Sequence, residues 1–556
     1  MSRLTIPACI QQSIAIHSGN TALSLVDSDA VTYAELNRRI QNLAMKLKIL
    51  GLCPGDKIAL LAPNGPNWGI SYLSILHLGA TVVPILNDFS ATEITNILKH
   101  SEAKALFVSE SLKQKIDRSL LPDIFVYINV EDFSVDETLS SLKTPYSADR
   151  VTPADREALK QIIETINEDD LAAIIYTSGT TGFSKGVMLT HRNIVSNIRS
   201  TYQVQSIGPA DRMLSILPMP HTYECTLGFL MPLFYGASVY YLSGVPSPTV
   251  LLAALDKIRP TMMLSVPLVI EKIYKNRIAP KFSKGLGKVL YAFPPARKLL
   301  HRIAGAKLMQ SFGGQIHFFG IGGALLDETV ERFLWEAKFP YYIGYGLTET
   351  SPLVAGTPSR KLKFRSTGYC LPGQEMKLIN VDPATGEGEI VTRGDNVMKG
   401  YYKNDDLTRS VFTPDGWFRT GDLGYIDPTG RLFFKGHLKN VIIGANGKNI
   451  YPEEIEAVVN RHKFVLESIV YEMKGKLVAK VHLDYQKVEE FYNHVRRNTR
   501  EFQHDLQFQI NHILADIQHF VNMQLNDYSH LALVIEQPVP FEKTPTMKIK
   551  KFMYVA

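Results

Sequence analysis

The densest chemistry in the chain lies in Tyr176-Thr-Ser-Gly-Thr-Thr-Gly-Phe-Ser-Lys-Gly186. Gly179, Gly182 and Gly186 let the backbone bend and approach a ligand closely. Thr177, Ser178, Thr180, Thr181 and Ser184 supply hydroxyls, and Lys185 supplies a cation. That combination suits a polyphosphate. The apolar run Leu171 to Ile175 before it and the helix-like Asn193 to Arg199 after it predict a strand, a Gly-rich turn and then a helix. A flexible Ser/Thr/Gly linker shares the composition but lacks a reason for the flanking strand and the lysine. The spacing also departs from the P-loop pattern G-x-x-x-x-G-K-[ST], because Phe183 and Ser184 separate Gly182 from Lys185 and Gly186 follows.

The order TSGTTG-x-x-KG resembles the phosphate loop of the acyl-adenylate-forming superfamily, which includes acyl-CoA synthetases, beetle luciferases and peptide-synthetase adenylation domains. GYGLTET (344–350), GWFRTGDLG (416–424) and KTPTMKIKK (543–551) follow in that superfamily's order, so the resemblance spans nearly the whole chain. It implies that Thr177, Ser178, Gly179, Thr180, Thr181, Gly182 and Lys185 bind ATP phosphates. It also implies that the turn Gly322-Gly323-Ala324, after the strand-like Ile316 to Ile321, borders adenine. In GYGLTET it makes Tyr345 the residue that stacks on adenine, with Gly346 beside it, Thr348 a contact of the α-phosphate, and Glu349 with Thr177 a holder of Mg²⁺. Asp422 is implied to accept the ribose hydroxyls, Lys439 to be a hinge, and Lys548 to be the lysine of the adenylation step. One position departs from the pattern. His437 stands where the superfamily normally has Arg against the ribose, and histidine offers fewer donors than arginine and only a partial charge near neutrality. Gly400-Tyr401-Tyr402 resembles a further block, read as structural and without chemistry.

A lone His beside an apolar helix is usually a packed residue. The resemblance implies instead that His221, in Pro220-His221-Thr-Tyr-Glu-Cys225, faces the carboxylate of an acyl substrate. The helix-like Leu227 to Tyr235 that follows would serve an acyl tunnel or a core equally well. From Glu489 to Leu525, Phe491, Val495, Phe502, Leu506, Ile510, Ile513, Ile517, Phe520 and Val521 recur in steps of three and four, predicting one or two amphipathic helices. This piece resembles the extra helical segment of long-chain fatty acyl-CoA synthetases.

These residues need an extensive scaffold. With 556 residues, two or more domains are expected. The early chain alternates helical patterns (Tyr33 to Leu50) with short apolar strands (Lys57 to Ala62, Thr81 to Pro84, Ala105 to Val108), an α/β pattern. The fold class expected is α/β. The resemblance divides it into a large multi-layer α/β domain (1–436) with ATP and acyl sites and a small, mobile α+β domain (437–556). Ser134 to Asp169 reads as a polar surface excursion. A net charge of +6 is too mild for a dedicated nucleic-acid binder. The four cysteines are far apart, with no metal or disulfide spacing, which fits a cytoplasmic location. The start shows no signal-peptide pattern, and Gly69 to Leu86 and Cys225 to Leu242, broken by Gly and Pro, read as buried helix followed by strand.

The resemblance implies an ATP- and Mg²⁺-dependent ligase that joins a medium- to long-chain fatty acid to CoA through acyl-AMP. Acyl carrier protein is the alternative acceptor, since both present the same thiol arm. Between Glu271 and Asp327 the sequence has no acidic residue but carries Lys272, Lys275, Arg277, Lys281, Lys284, Lys288, Arg297, Lys298, Arg302 and Lys307 among apolar side chains. Residues 272–307 therefore predict peripheral association with an anionic membrane, with a solvated cationic surface as the alternative.

Overall fold

The structure is a computed structural model describing residues 4–136, 152–177, 185–242, 247–282, 285–358, 362–443, 449–498, 506–544 and 549–555, of which 153, 285–288, 492–498, 506–508 and 528 are described by backbone alone. The fold is α/β. Continuous apolar runs become parallel strands buried on both faces, as Lys57–Leu61, Thr81–Pro84 and Ala105–Val108 do. Their sheet runs in the order Gly400–Tyr401, Lys185–Thr190, Leu171–Thr177, Thr81–Pro84, Lys57–Leu61, Ala105–Val108, Val126–Asn129. A second sheet places Thr21–Leu25, Ser238–Tyr241, Arg212–Ser215, Met262–Ser265, Phe318–Ile321 and Tyr341–Gly346 side by side and parallel. It turns antiparallel through Leu353–Gly356 and Gly368–Cys370. Because those strands run the same way, the loops after Ser215, Ile321 and Gly346 emerge at one edge, the carboxyl edge, where open α/β sheets bind ligands.

The two long apolar stretches resolve into helix and strand. Pro66–His77 and Thr81–Pro84 account for the first, and the helical Glu224–Phe234 with Ser238–Tyr241 for the second. They pack together through Trp68, Tyr72 and Phe229, the last of which lies edge-on to both other rings. Among the described residues no helix is long and apolar enough to cross a membrane.

Three local expectations change. A second strand, Lys185–Thr190, intervenes between the Gly-rich turn and the helix, which spans His191–Val204. Its alternate residues pack against Leu171–Thr177 in an antiparallel pair, and a six-residue stretch between a turn and a capping box is too short for its period to be read by itself. The polar excursion contains the helix Pro153–Thr165, started by a Thr152–Asp155 capping box. The segment after Ser215 starts its helical run at Thr222 rather than Leu227, with Glu224–Leu230 wound as a π-helix.

By chain packing there are two compact units: residues 1–379, 390–420 and 426–433, and residues 380–389, 421–425 and 434–556. In the second, Val465–Met473 and Lys476–Leu483 form a hairpin whose two turn residues, Lys474 and Gly475, both have positive φ, and Leu533–Glu536 joins parallel to the latter strand. The amphipathic segment forms two helices, Tyr485–Asn498 and Leu506–Asn522. Ile510, Ile513, Ile517 and Val521 of the latter are buried in the unit's core with Val459 and Val481.

Candidate active site

Lys185 opens the strand after the phosphate loop and sits in register opposite Thr177 at the end of the strand before it. Its Nζ donates to Glu349 Oε1 at 2.9 Å and to the Tyr401 hydroxyl at 2.8 Å. The Tyr401 hydroxyl donates in turn to Glu349 Oε1 at 2.9 Å, closing a triangle. Glu349 and Tyr401 are buried, while the lysine side chain remains one-third exposed. Burial and the Glu349 carboxylate push the Tyr401 phenol well above its ordinary value, so it stays a hydrogen-bond donor. Tyr401 reaches the triangle because Gly400–Tyr401 pairs antiparallel with Lys185–Thr190. The sequence reading gave Tyr401 no chemistry, and the only signal that would have found it is a buried hydroxyl on an edge strand facing the loop lysine.

The turn that carries Glu349 is held from several sides. The Leu347 N–H donates to Pro352 O at 3.0 Å and to Thr350 Oγ1 at 2.9 Å. Asn396 Nδ2 donates to Thr350 O at 3.0 Å, and Asn197 Nδ2 to Leu353 O at 2.7 Å. The Met398 N–H holds Glu349's own carbonyl at 2.8 Å. Gly346 is required here, since a Cβ would lie 1.9 Å from Pro352 O. Tyr345 before it is buried, and Thr348 after it is half-buried.

Gly322-Gly323-Ala324 leaves the carboxyl end of Phe318–Ile321 with Gly323 at φ +89°, and Gly323 and Ala324 are exposed. Gly322 leaves room for the Tyr223 ring, which a Cβ would meet at 3.3 Å. His221 lies in the turn after Arg212–Ser215, two residues before that tyrosine. Its Nδ1 accepts the Tyr223 N–H at 3.2 Å, so the neutral ring carries its proton on Nε2. Thr177 Oγ1 is buried with no hydrogen-bond partner among the described residues. Ser178, Gly179, Thr180, Thr181 and Gly182 lie outside the described residues.

The second unit holds the remaining candidates. Asp422 is buried, and His437 Nδ1 approaches its Oδ1 to 2.5 Å, so the residue that departs from the family pattern sits beside the implied ribose carboxylate. Lys439 lies in the single turn Leu438–Asn440. Lys548 lies outside the described residues, although its flanks, Lys543 and Ile549, form an antiparallel bridge.

No group of three or more His, Cys, Asp or Glu side chains among the described residues is arranged to cage a metal. Mg²⁺ needs less, since one carboxylate suffices when phosphates and waters complete its octahedron. Glu349, whose second carboxyl oxygen makes no hydrogen bond among the described residues, and the orphaned Thr177 hydroxyl fit such a shared site.

The chain is similar to known proteins along most of its length. Long-chain-fatty-acid--CoA ligase FadD15 of Mycobacterium bovis is 28% identical over 557 residues, covering 94% of this chain and 90% of that protein. The long-chain-fatty-acid--[acyl-carrier-protein] ligase AEE15 of Arabidopsis thaliana is 28% identical over 632 residues, covering 95% of this chain and 81% of that protein. Among solved structures, o-succinylbenzoate CoA synthetase from Bacillus subtilis with its acyl-adenylate superposes with a TM-score of 0.74 at 22% identity, over 99% of this chain and 98% of that one. The same enzyme with ATP and magnesium gives 0.73 at 22% identity, over 98% of each. The family model for AMP-binding enzymes matches residues 10–402, which include the Gly-rich loop, His221, the Gly322–Ala324 turn, Glu349 and Tyr401, and the chain belongs to that family of acyl-adenylate-forming ligases.

Proposed function

We propose that the chain is an AMP-forming acid:CoA ligase for medium- to long-chain fatty acids. The observation that carries this reading is the triangle of Lys185, Glu349 and Tyr401 beside the phosphate loop. It is a buried carboxylate neutralised by a lysine that a polyphosphate can claim. In the first half-reaction a fatty carboxylate oxygen attacks the α-phosphorus of ATP, the bond to the β-phosphate breaks, and pyrophosphate leaves. No general base is needed, because the acid is already ionised at neutral pH, so rate comes from positioning and charge stabilisation. His221 presents Nε2–H to the acyl carboxylate and Lys185 turns to the phosphates; Glu349 with Thr177 would hold Mg²⁺, which would supply charge neutralisation. Tyr345 and the Gly322–Ala324 turn take adenine, Thr348 the α-phosphate, and Asp422 with His437 the ribose. Lys548 serves adenylation. The 437–556 domain then turns about Lys439, and a thiol sulfur attacks the acyl carbonyl, loses its proton and displaces AMP.

CoA is the acceptor favoured by the relatives named for CoA ligation, and the plant relative named for acyl-carrier-protein ligation supports the alternative. Pyrophosphate release across a fatty-acid panel, with CoA and acyl carrier protein compared, tests both. Release that rises with chain length and turns over with CoA is expected. Release with small acids alone overturns the substrate class, and turnover with the carrier protein alone overturns the acceptor. A second observation favours delivery from a membrane. The helices Gly285–Ala292 and Pro294–Ser311 leave Val289, Phe293, Leu299 and Ile303 more than half exposed in a segment without acidic residues. Such a face suits an anionic bilayer from which a poorly soluble acid is drawn.

A further inference from the structure

Glu224 opens the π-helical segment Glu224–Leu230 one turn after His221, whose carbonyl accepts the Cys225 N–H at 2.9 Å. Wide turns of this kind gather at functional sites. Glu224 is 1% exposed, and neither of its carboxyl oxygens has a hydrogen-bond partner among the described residues. The carboxyl folds over Gly228, where a Cβ would stand 2.7 Å from its Cδ and Oε1. Ser215 and Tyr241 are register partners in neighbouring parallel strands and so project to one face of the sheet. Both hydroxyls are also buried without a partner.

An ionised carboxylate in such a place has nothing to repay its lost hydration. Burial pushes the Glu224 acid up to about 8; the Ser215 hydroxyl, near the carboxyl but outside hydrogen-bond geometry with it, offsets part of the effect. The titratable groups facing it are Tyr223 and Cys225 on its own segment and Tyr241 across from it. Burial raises all three, the Cys225 thiol to about 12, so they stay neutral through the range in which Glu224 titrates.

We propose that Glu224 is a positioning residue for the acyl substrate, its neutral carboxyl seating the start of the Glu224–Leu230 segment against Ser215 and Tyr241 and so fixing His221. The inference rests on the reading that His221 faces the acyl carboxylate. On ionisation the carboxylate must draw in water or swing off Gly228, and the start of the π-helical segment moves with it. Binding of the acid then weakens while binding of ATP does not.

The test is pyrophosphate release by the full chain with dodecanoate and hexadecanoate between pH 6 and 9.5, with KM measured separately for acid and for ATP. For the wild type, kcat/KM for the acid is expected to fall about tenfold per pH unit above a midpoint near 8, with KM for ATP level. Glu224→Gln keeps the shape without the titration, so it should lose about threefold at pH 6.5 yet lack the alkaline limb. Gly228→Ala should displace the carboxyl and raise KM for the acid at pH 7, which keeps the idea testable if Glu224→Gln does not fold. An alkaline limb retained in Glu224→Gln, or shared equally by KM for ATP, overturns the role of Glu224 and leaves the ligase reading intact. No pyrophosphate release with any acid at any pH overturns the ligase reading and this role with it.

Discussion

Lys185, Glu349 and Tyr401 show how one hydroxyl can set the resting state of a site. The Tyr401 hydroxyl donates to the carboxylate and accepts from the ammonium, so it keeps both ends of the ion pair at a defined separation. Tyr401→Phe removes that hydroxyl while leaving the ring in the core that packs around it. A hydrogen bond to a charged partner is worth about 1.5–3 kcal/mol, so pyrophosphate release should slow by roughly 10- to 100-fold if the triangle prepares Glu349 and Lys185 for MgATP. Unchanged kcat and KM for ATP in a folded Tyr401→Phe protein would show that the triangle only braces the strands. Lys185 and Glu349 were legible in the sequence because each stands in a motif whose glycines and hydroxyls declare a phosphate site. Tyr401 was not, because it meets Lys185 across 216 residues through an edge strand two residues long. Glu224 was unread for another reason. A glutamate three residues from a histidine on a helical pattern looks like a surface residue until the packing of Gly228 and Ser215 around it is known.

At the level of elements, continuous apolar runs gave the parallel strands and apolar steps of three and four gave the helix Leu506–Asn522, since burial selects both patterns directly. The strand Lys185–Thr190 escaped because its partner, not its own sequence, makes it a strand. The helix Pro294–Ser311 needed the structure for another purpose, which is to separate its cations. Arg297 forks onto Glu336 at 2.7 and 3.1 Å, so its charge is already partnered. Lys298 and Arg302 are exposed one turn apart, beside Leu299 and Ile303. The side chains of Lys284 and Lys288 lie outside the described residues. Each basic residue near an anionic surface contributes about 1 kcal/mol, so Lys281→Gln, Lys298→Gln and Arg302→Gln together should weaken binding to phosphatidylglycerol vesicles about 100-fold at low salt. Phe293→Ser with Leu299→Ser should weaken it at high salt too, where screening has removed the cationic part. Wild-type protein left in the supernatant after cosedimentation at low salt refutes the membrane reading.

For the whole molecule, the chain packs as two compact units, and the proposed reaction makes a lysine near the end of the chain the test of how they divide the work. Glu349 and the Gly322–Ala324 turn belong to one unit, and Asp422, His437 and Lys439 to the other. If Lys548 serves adenylation as proposed, that step draws on residues of both. If Lys548 stands at the phosphates only in the adenylation pose, turning the small domain about Lys439 withdraws it before the thiol attacks the acyl carbon, so the second step proceeds without its ammonium. Lys548→Ala should therefore slow acyl-AMP formation by about 100-fold or more, the scale on which removing one well-placed charge or donor acts. Thioester formation from supplied acyl-AMP and CoA should persist within a few-fold. Pyrophosphate release and thioester formation, measured separately on the same preparation, decide between this and a single fixed arrangement. Equal loss in both half-reactions with an unchanged melting temperature would mean that one pose serves both steps, and that Lys439 is no hinge for catalysis.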